Sequence, residues 1–572
     1  MLLKPLYKVT DIKNLKEMLE KSEQSFGDKN AFLVRDGSGD YRGISYKQFK
    51  NDVDAFGAAL ADMGLREGYI AVMGENRYEW CVTYLSVVSH IGVIVPLDKE
   101  IPVPEKENLL TRSNAIAIIF SGRYAGEMQS LCAKLPSVKF FINMDIEEDA
   151  QGFLSYKKLV EKGRNLLAGG SGILQDYQID NDKLSILLFT SGTTELAKGV
   201  MLSQKNICAD LMAVCQTVYA GPEDISLSIL PLHHTYECTV GFLAMIYRGA
   251  AIAFNEGLKQ IVKNFKEVSP TFLITVPLLL ESIYRKIWEH AGKKKGQKTL
   301  LKVAMFAGGV LNDVFRVDIR RKLFKTILDN FGGKLRLIMV GAAAINPEVS
   351  KGFRKMGIMV LQGYGLTECS PLVIGNRDDA FRDDSVGLPI PGVTVRIDNA
   401  DENGIGEIVT RGDNVMLGYF NNEKATDNCL KDGWFHTGDL GRVDDSGFYY
   451  VTGRIKNVIV TKNGKNIFPE EVEAYINKSP FVLESMVWGD FDKESGETHV
   501  NAQIFPNMDV IKEKLKDVNI SKEELMKLFN DIIKSINKDM PLYKRIRGFS
   551  IRDNEFTKTT TKKIKRYVEK TN

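Results

Sequence analysis

Short apolar runs at residues 70–73, 115–120, 184–189, 272–276 and 335–340 recur along the chain, separated by longer amphipathic stretches. Each run suits one strand, and the stretches between them carry a helical spacing of apolar positions. Such alternation predicts strands joined by crossover helices, an α/β fold. Helix starts are legible as well. Ser45 with Gln48 reads as a capping box, and Asn346 before Pro347 supplies an N-cap and a first-turn proline directly after the 335–340 run. From about Val393 the texture changes to hairpin signals, with Asp-Gly at 432 and Ser-Gly at 446 between β-rich runs. A further break falls near Gly453. Beyond it a smaller α+β segment is expected, with strands around 458–460 and 486–489 and helices around 470–477 and 523–537. A chain of 572 residues exceeds one compact core, and the expected division is 1–452 and 453–572. No internal repeat or low-complexity segment interrupts it.

Composition excludes several classes. Hydrophobic content of 44% with 26% charged residues is that of an ordinary globular protein. The seven cysteines, at 81, 132, 208, 215, 238, 369 and 429, form no CxxC pair and have no histidine spacing suited to zinc, so they read as reduced structural thiols of a cytosolic protein. Residues 1–8 lack the apolar core of a signal peptide, and no run approaches the ~20 apolar residues of a membrane span. The longest candidate, 84–96, is broken by Ser86, Ser89 and His90. A net charge of +3 makes no case for nucleic acid. Residues 541–572 nevertheless hold ten Lys or Arg against three Asp or Glu, which suits a polyanionic ligand or a solvated helix face.

Residues 189–200, Phe-Thr-Ser-Gly-Thr-Thr-Glu-Leu-Ala-Lys-Gly-Val, follow the third apolar run. A strand that ends in small residues frees its backbone N–H groups to face an anion. Thr190, Ser191, Thr193 and Thr194 add hydroxyls around Gly192, and Lys198 adds charge, so this is a phosphate-handling loop with ATP as the natural ligand. A Walker loop needs glycine before its lysine and Ser or Thr after it, whereas this chain has Ala197 and Gly199, so a different nucleotide fold is required. The strand-to-helix turn Gly341-Ala342-Ala343-Ala344 has almost no side chains. Either a flat ligand lies on its backbone or tight strand–helix packing demands small residues there.

Together with Gly-Glu-Asn-Arg-Tyr-Glu-Trp at 74–80, these segments resemble the adenylate-forming superfamily of acyl-CoA synthetases, luciferases and peptide-synthetase adenylation domains. In detail the chain is most similar to the long-chain fatty acid:CoA ligases, over nearly its whole length. The resemblance implies a large N-terminal domain of stacked α/β sheets plus a distorted β-barrel, and a small mobile α+β C-terminal domain. It assigns the 189–199 loop to the β- and γ-phosphates, with Thr190 a magnesium-side hydroxyl; Glu195 stands where glycine is usual and Ala197 replaces proline. In Pro-Leu-His-His-Thr-Tyr at 231–236, His234 takes the position lining the acyl and pantetheine pocket. No acid occurs among 233–236 to hold an ammonium group, which argues for a plain carboxylate substrate. Residues Gln362, Gly363, Tyr364, Gly365, Leu366, Thr367 and Glu368 match the adenine and magnesium motif. Tyr364 offers a flat face, Thr367 reaches the α-phosphate, Glu368 supplies a hard oxygen to Mg²⁺, and Gly341, Ala342 and Ala343 form the other wall.

Further along, the resemblance implies that Asp439 accepts from the ribose hydroxyls, Arg454 meets ribose or phosphate, and Lys456 is the domain hinge, with Asn457 where aspartate is usual. The 462–466 and 468–471 segments resemble a thioester-forming tunnel. In Thr-Lys-Thr-Thr-Thr-Lys-Lys-Ile at 557–564 the register selects Lys563 as the catalytic lysine; Lys562 stands where glycine is usual, and Lys558 and Lys562 are its rivals. The implied reaction forms an acyl-adenylate from a fatty acid and ATP with Mg²⁺, then passes the acyl group to coenzyme A, with Lys563, Glu368, His234 and Lys198 as catalytic groups and no protein nucleophile. An acyl-AMP ligase that loads a carrier protein and a non-catalytic acyl or nucleotide binder are the alternatives. Residues 292–331 resemble the extended segment of long-chain ligases. Within 292–325, Lys293, Lys294, Lys295, Lys298, Arg316, Arg320, Arg321, Lys322 and Lys325 suit either peripheral contact of a cytoplasmic protein with the anionic inner membrane face or a solvated loop and helix face.

Overall fold

The computed structural model describes residues 4–175, 177–190, 197–292, 296–313, 318–461, 465–492, 497–515, 520–558 and 564–569. Its contacts divide the chain into two compact units. One comprises 1–192, 196–395 and 410–435, and the other 193–195, 396–409 and 436–572.

The first unit is built on two mixed sheets. The eight-stranded one runs, in spatial order, through strands 418–419, 198–203, 184–190, 93–96, 69–73, 115–120, 140–143 and 154–155. Its centre is parallel: Tyr69–Met73 lies between Val93–Pro96 and Ala115–Phe120, as near-continuous apolar runs require when both faces are buried. The edge turns antiparallel, so that Leu184–Thr190 folds back on Lys198–Ser203 with Thr190 opposite Lys198. The nine-stranded sheet runs 388–389, 372–375, 359–365, 337–340, 272–275, 225–228, 251–254, 30–35 and 41–45. The apolar runs expected as strands are therefore strands.

Helices cover these sheets closely. In Tyr78–His90 every residue from Trp80 onward is buried, and Trp80 stacks on Tyr84 at 5.4 Å between ring centroids. That helix and Val93–Pro96 account for the 84–96 run as core. Tyr46–Asp62 packs on Tyr156–Ala168 so tightly that a Cβ on Gly163 would sit 1.7 Å from the Ala55 carbonyl oxygen. Ser45 Oγ accepts from the Gln48 N–H at 3.1 Å, the first half of the expected box. Asn346 caps Pro347–Lys355. Asp432 and Gly433, both at positive φ, turn Leu430–Lys431 back onto Trp434–Phe435.

In the 292–325 segment part of the basic charge is paired within the fold, while Lys298 and Lys322 are exposed. Arg320 bonds Asp318 at 2.7 Å and the Arg354 carbonyl, while Arg321 donates to the carbonyls of Leu335, Gly333 and Gly357. Lys325 pairs with Asp329 at 2.9 Å. Both arginines donate to backbone carbonyls of the fold, Arg320 to one that also accepts from Gly357 N–H. Lys293, Lys294, Lys295 and Arg316 lie outside the described residues. Helix Gln297–Asp313 buries Leu301 and Met305 yet exposes Leu300 (68%), Val303 (57%) and Phe306 (72%). Among the described residues no helix is long and apolar enough to cross a membrane.

The second unit carries an antiparallel ribbon in which Asp439–Val443 pairs with Tyr449–Arg454 around a turn closed by Asp444, whose carboxylate accepts from Ser446 and Phe448 N–H groups. Beyond it strands Val482–Asp492, Glu497–Pro506 and Ile546–Ile551 form a sheet covered by helices Pro469–Ile476 and Lys522–Lys538. Ile476, Val487, Ile504, Phe529 and Ile546 are part of its core. The seven cysteines are free thiols.

Candidate active site

The antiparallel edge of the eight-stranded sheet brings three predicted residues to one place in the first unit. Thr190 and Lys198 face each other across the hairpin stem, and Thr190 Oγ1 donates to the Lys198 carbonyl at 3.4 Å. Strand Gly418–Tyr419 pairs on the outer side, with Tyr419 opposite Val200. The Lys198 ammonium then lies over the Tyr419 ring, 5.1 Å from its centroid, and the Tyr419 hydroxyl donates to Glu368 Oε1 at 2.9 Å. Burial, then the neighbouring Glu368 charge, pushes the Tyr419 phenol well up, so it stays protonated and acts as donor. Arg112 holds the same, loop end of the stem: it donates to the Ala197 carbonyl at 2.8 Å and covers the Phe189 ring. Neither Tyr419 nor Arg112 was legible from motif chemistry; each reaches the site from a distant element.

Glu368 sits in a single 3₁₀ turn, Thr367–Cys369, after strand Met359–Gly365. Its carbonyl accepts from Met416 N–H at 2.9 Å. Asn414 binds the Cys369 and Leu372 carbonyls, and Leu366 N–H reaches Pro371 O. Gly365 is required here, since a Cβ would lie 2.1 Å from Pro371 O. The turn is thus held on every side, as a positioned carboxylate needs. Gln362 is a strut: its buried side-chain oxygen accepts from Ile345 N–H at 2.9 Å and its carbonyl accepts from Asn376. It ties the Met359–Gly365 strand to the 341–345 turn, where Ala342 takes φ 71° and Ala343 is exposed. Gly341 faces the Tyr236 ring, which a Cβ would meet at 3.1 Å. Gly363, Tyr364 and Leu366 line the same strand end.

The 231–236 segment packs behind this. The His233 and His234 rings are 4.3 Å apart; burial, then Lys99, pulls His233 down to about 3, so it is neutral. His234 is partly buried. The next position, Glu237, carries no motif signal in the sequence. It is 1% exposed, its Oε1 accepts from the Ser228 hydroxyl at 2.5 Å, and burial pushes it up to about 8. An acid kept neutral by burial offers no charge to an ammonium group.

In the second unit Asp439 and Arg454 are register partners joined at 2.8 Å, with Asp439 7% and Arg454 45% exposed. Asp439 follows Gly438 at φ 70°, whose N–H is held by Glu407. Lys456 is exposed in the turn Ile455–Asn457, and Asn457 donates to Glu470 at 2.7 Å. Lys558 is spent: its ammonium is bound by Glu484 and, at 2.9 Å, by Glu555. Lys558 also pairs with Ile564. Ser191, Gly192, Thr193, Thr194, Glu195, Lys462, Lys562 and Lys563 lie outside the described residues.

The fold and these motifs define an adenylate-forming enzyme. The sequence profile described as AMP-binding enzyme matches residues 19–420, and the chain belongs to that family. It is 29% identical over 514 residues to long-chain-fatty-acid–CoA ligase 5 of Rattus norvegicus, covering 85% of this chain and 74% of that one. With long-chain-fatty-acid–CoA ligase FadD15 of Mycobacterium tuberculosis it shares 25% over 552 residues, covering 92% and 90%. Among solved structures it is similar to the anthranilate CoA ligase AuaEII in complex with anthranoyl-AMP, at TM-score 0.76 and 21% identity over 99% of this chain and 98% of that one. ATP-bound MatB from Rhodopseudomonas palustris gives TM-score 0.74 and 22% identity over 97% and 98%. At such identities the structural likeness bears on fold.

Proposed function

We propose that the protein activates a long-chain fatty acid in two half-reactions. The substrate carboxylate attacks the α-phosphorus of ATP and pyrophosphate leaves, giving acyl-AMP; the thiol of coenzyme A then attacks the acyl carbon and AMP leaves. The observation that carries this reading is the similarity to long-chain fatty-acid ligases over 85–92% of the chain. The neutral acid at Glu237 supports a plain carboxylate substrate, because an ionised one beside the 231–236 segment would repel it.

In this reading Thr190, Ser191, Gly192, Thr193, Thr194 and Lys198 take the β- and γ-phosphates, Tyr364 and the 341–343 turn take adenine, and Thr367 the α-phosphate. Asp439 and Arg454 take ribose. His234 lines the acyl and pantetheine pocket. Lys563 stabilises charge at the α-phosphate as the carboxylate attacks, since Lys558 is committed to Glu484. Magnesium fits the donor set: Glu368 is a single carboxylate oriented by a hydroxyl, and Mg²⁺ takes one or two carboxylates and completes its shell from phosphates and water. When bound it supplies charge neutralisation to the phosphates. Domains 1–452 and 453–572 would move about Lys456, so that Lys563 and the 462–466 loop serve the two half-reactions in turn.

The exposed Leu300, Val303 and Phe306, beside exposed Lys298 and Lys302, favour peripheral contact with an anionic bilayer as the source of fatty acid. The apolar side chains carry this reading, because Arg320, Arg321 and Lys325 are already paired.

Pyrophosphate release from Mg·ATP across acids from acetate to oleate, with and without coenzyme A, tests the proposal. Release with long chains, multiplied by coenzyme A and lost in Lys563→Ala, is the expected result. Release without turnover on coenzyme A would point to a carrier protein or another acceptor. If no acid elicits release, the chain is a binder.

A further inference from the structure

We propose that Tyr419 is a positioning residue: its hydroxyl sets the orientation of the Glu368 carboxylate toward the metal–nucleotide complex, and its ring carries the Lys198 ammonium. This rests on the functional reading above, in which Glu368 faces Mg·ATP. The geometry is over-determined. Strand Gly418–Tyr419 is flanked by two backbone bonds to the phosphate hairpin, Leu417 N–H to Met201 O at 2.9 Å and Phe420 N–H to Gly199 O at 2.7 Å. Tyr419 N–H itself donates to Thr426 Oγ1 at 2.9 Å. Gly418 takes φ 141° and a Cβ there would meet Thr426 Cγ2 at 2.8 Å, so the chain reaches this position only through glycine.

With its backbone so fixed, Tyr419 touches two groups of opposite charge, one from each nucleotide motif. The hydroxyl is 2.9 Å from Glu368 Oε1, and the ring centroid is 5.1 Å from Lys198 Nζ. The Glu368 carbonyl accepts from Met416, three residues upstream on the same segment, so 416–419 grips the 3₁₀ turn by backbone and side chain together. A carboxylate whose one oxygen is held by a fixed donor cannot rotate freely about its last bond. Outer partners of this kind tune metal affinity by about 10- to 100-fold.

Equilibrium binding of α,β-methylene-ATP to the full chain, with magnesium chloride titrated, tests the role without turnover. For Tyr419→Phe, which keeps the ring, the magnesium concentration at half-maximal binding is expected to rise about tenfold. Binding of the analogue in EDTA and the thermal midpoint are expected to stay near native. Tyr419→Leu, which also removes the ring, is expected to weaken the EDTA binding as Lys198 loses its platform. In a Glu368→Gln background Tyr419→Phe is expected to add nothing, because it acts through that carboxylate. An unchanged magnesium midpoint in Tyr419→Phe, or an effect that persists in Glu368→Gln, would overturn the role. If the native chain binds the analogue with no magnesium dependence, the functional reading falls and takes this one with it.

Discussion

Glu237→Gln separates charge from shape at the most consequential buried acid. Glu237 is 1% exposed, Ser228 hydroxyl and Leu230 N–H reach it, and its Oε2 has no partner among the described residues. Burial raises it from 4.5 to about 8. Between those values the unfolded chain has released a proton that the folded chain still holds. Stability therefore falls as pH rises through the window, by about 1.4 kcal/mol per unit. From pH 5.5 to 7.5 the contribution lost is on the order of 2–3 kcal/mol. Glutamine cannot titrate, so the variant gains that amount relative to the native protein over the same interval, whatever constant offset its buried amide introduces. Urea unfolding followed by tryptophan fluorescence at pH 5.5, 6.5 and 7.5 measures the difference. Parallel pH dependences of the two proteins would mean that Glu237 is already ionised in the fold, and would refute both the linkage and its use as support for a carboxylate substrate.

Asp439→Ala is expected to raise the KM for ATP by about 10- to 100-fold, the loss of charge-assisted hydrogen bonds to ribose. Its unfolding midpoint is expected to move little, because the Arg454 left behind is half-exposed; steady-state kinetics showing an unchanged KM would remove the ribose role. Lys563→Ala is expected to slow acid-dependent pyrophosphate release by about 10²- to 10³-fold. Lys558→Ala is expected to keep a near-native rate while losing about 1–3 kcal/mol of stability from the unpaired Glu484, and equal rate losses in the two variants would reopen the choice of lysine. Gly163→Ala drives a methyl into the Ala55 carbonyl and is expected to cost about 1–3 kcal/mol or more by denaturant titration; a neutral result would mean the two helices can separate freely.

Much of the scaffold was legible because its signals are local. The runs at 115–120 and 184–189 became Ala115–Phe120 and Leu184–Thr190, and Asp432 with Gly433 made the turn their side chains favour. Half of the Ser45 box formed. The basic 292–325 segment shows the limit of such reading. Nothing within a few residues of Arg321 reveals that it caps carbonyls at 333, 335 and 357, since one of those strand ends comes from a separate element. Glu237 is illegible for the same reason: nothing local to an acid one step beyond a motif reveals the Ser228 hydroxyl against it.

The sequence by itself determined the chemistry available: a hydroxyl-rich strand end closing on Lys198, an acid at Glu368, an Asp439 beside a glycine turn, and the strand–helix alternation that carries them. Those follow from residue type and near-neighbour geometry, which act over a few positions of chain. Only the tertiary structure decided which charges remain for a ligand. It committed Lys558 to Glu484, left Glu237 neutral, and set the Tyr419 hydroxyl on Glu368 across 51 residues of chain. The physical reason is that a side chain's charge state and partner depend on burial and on which strands pair, and both are settled by long-range packing.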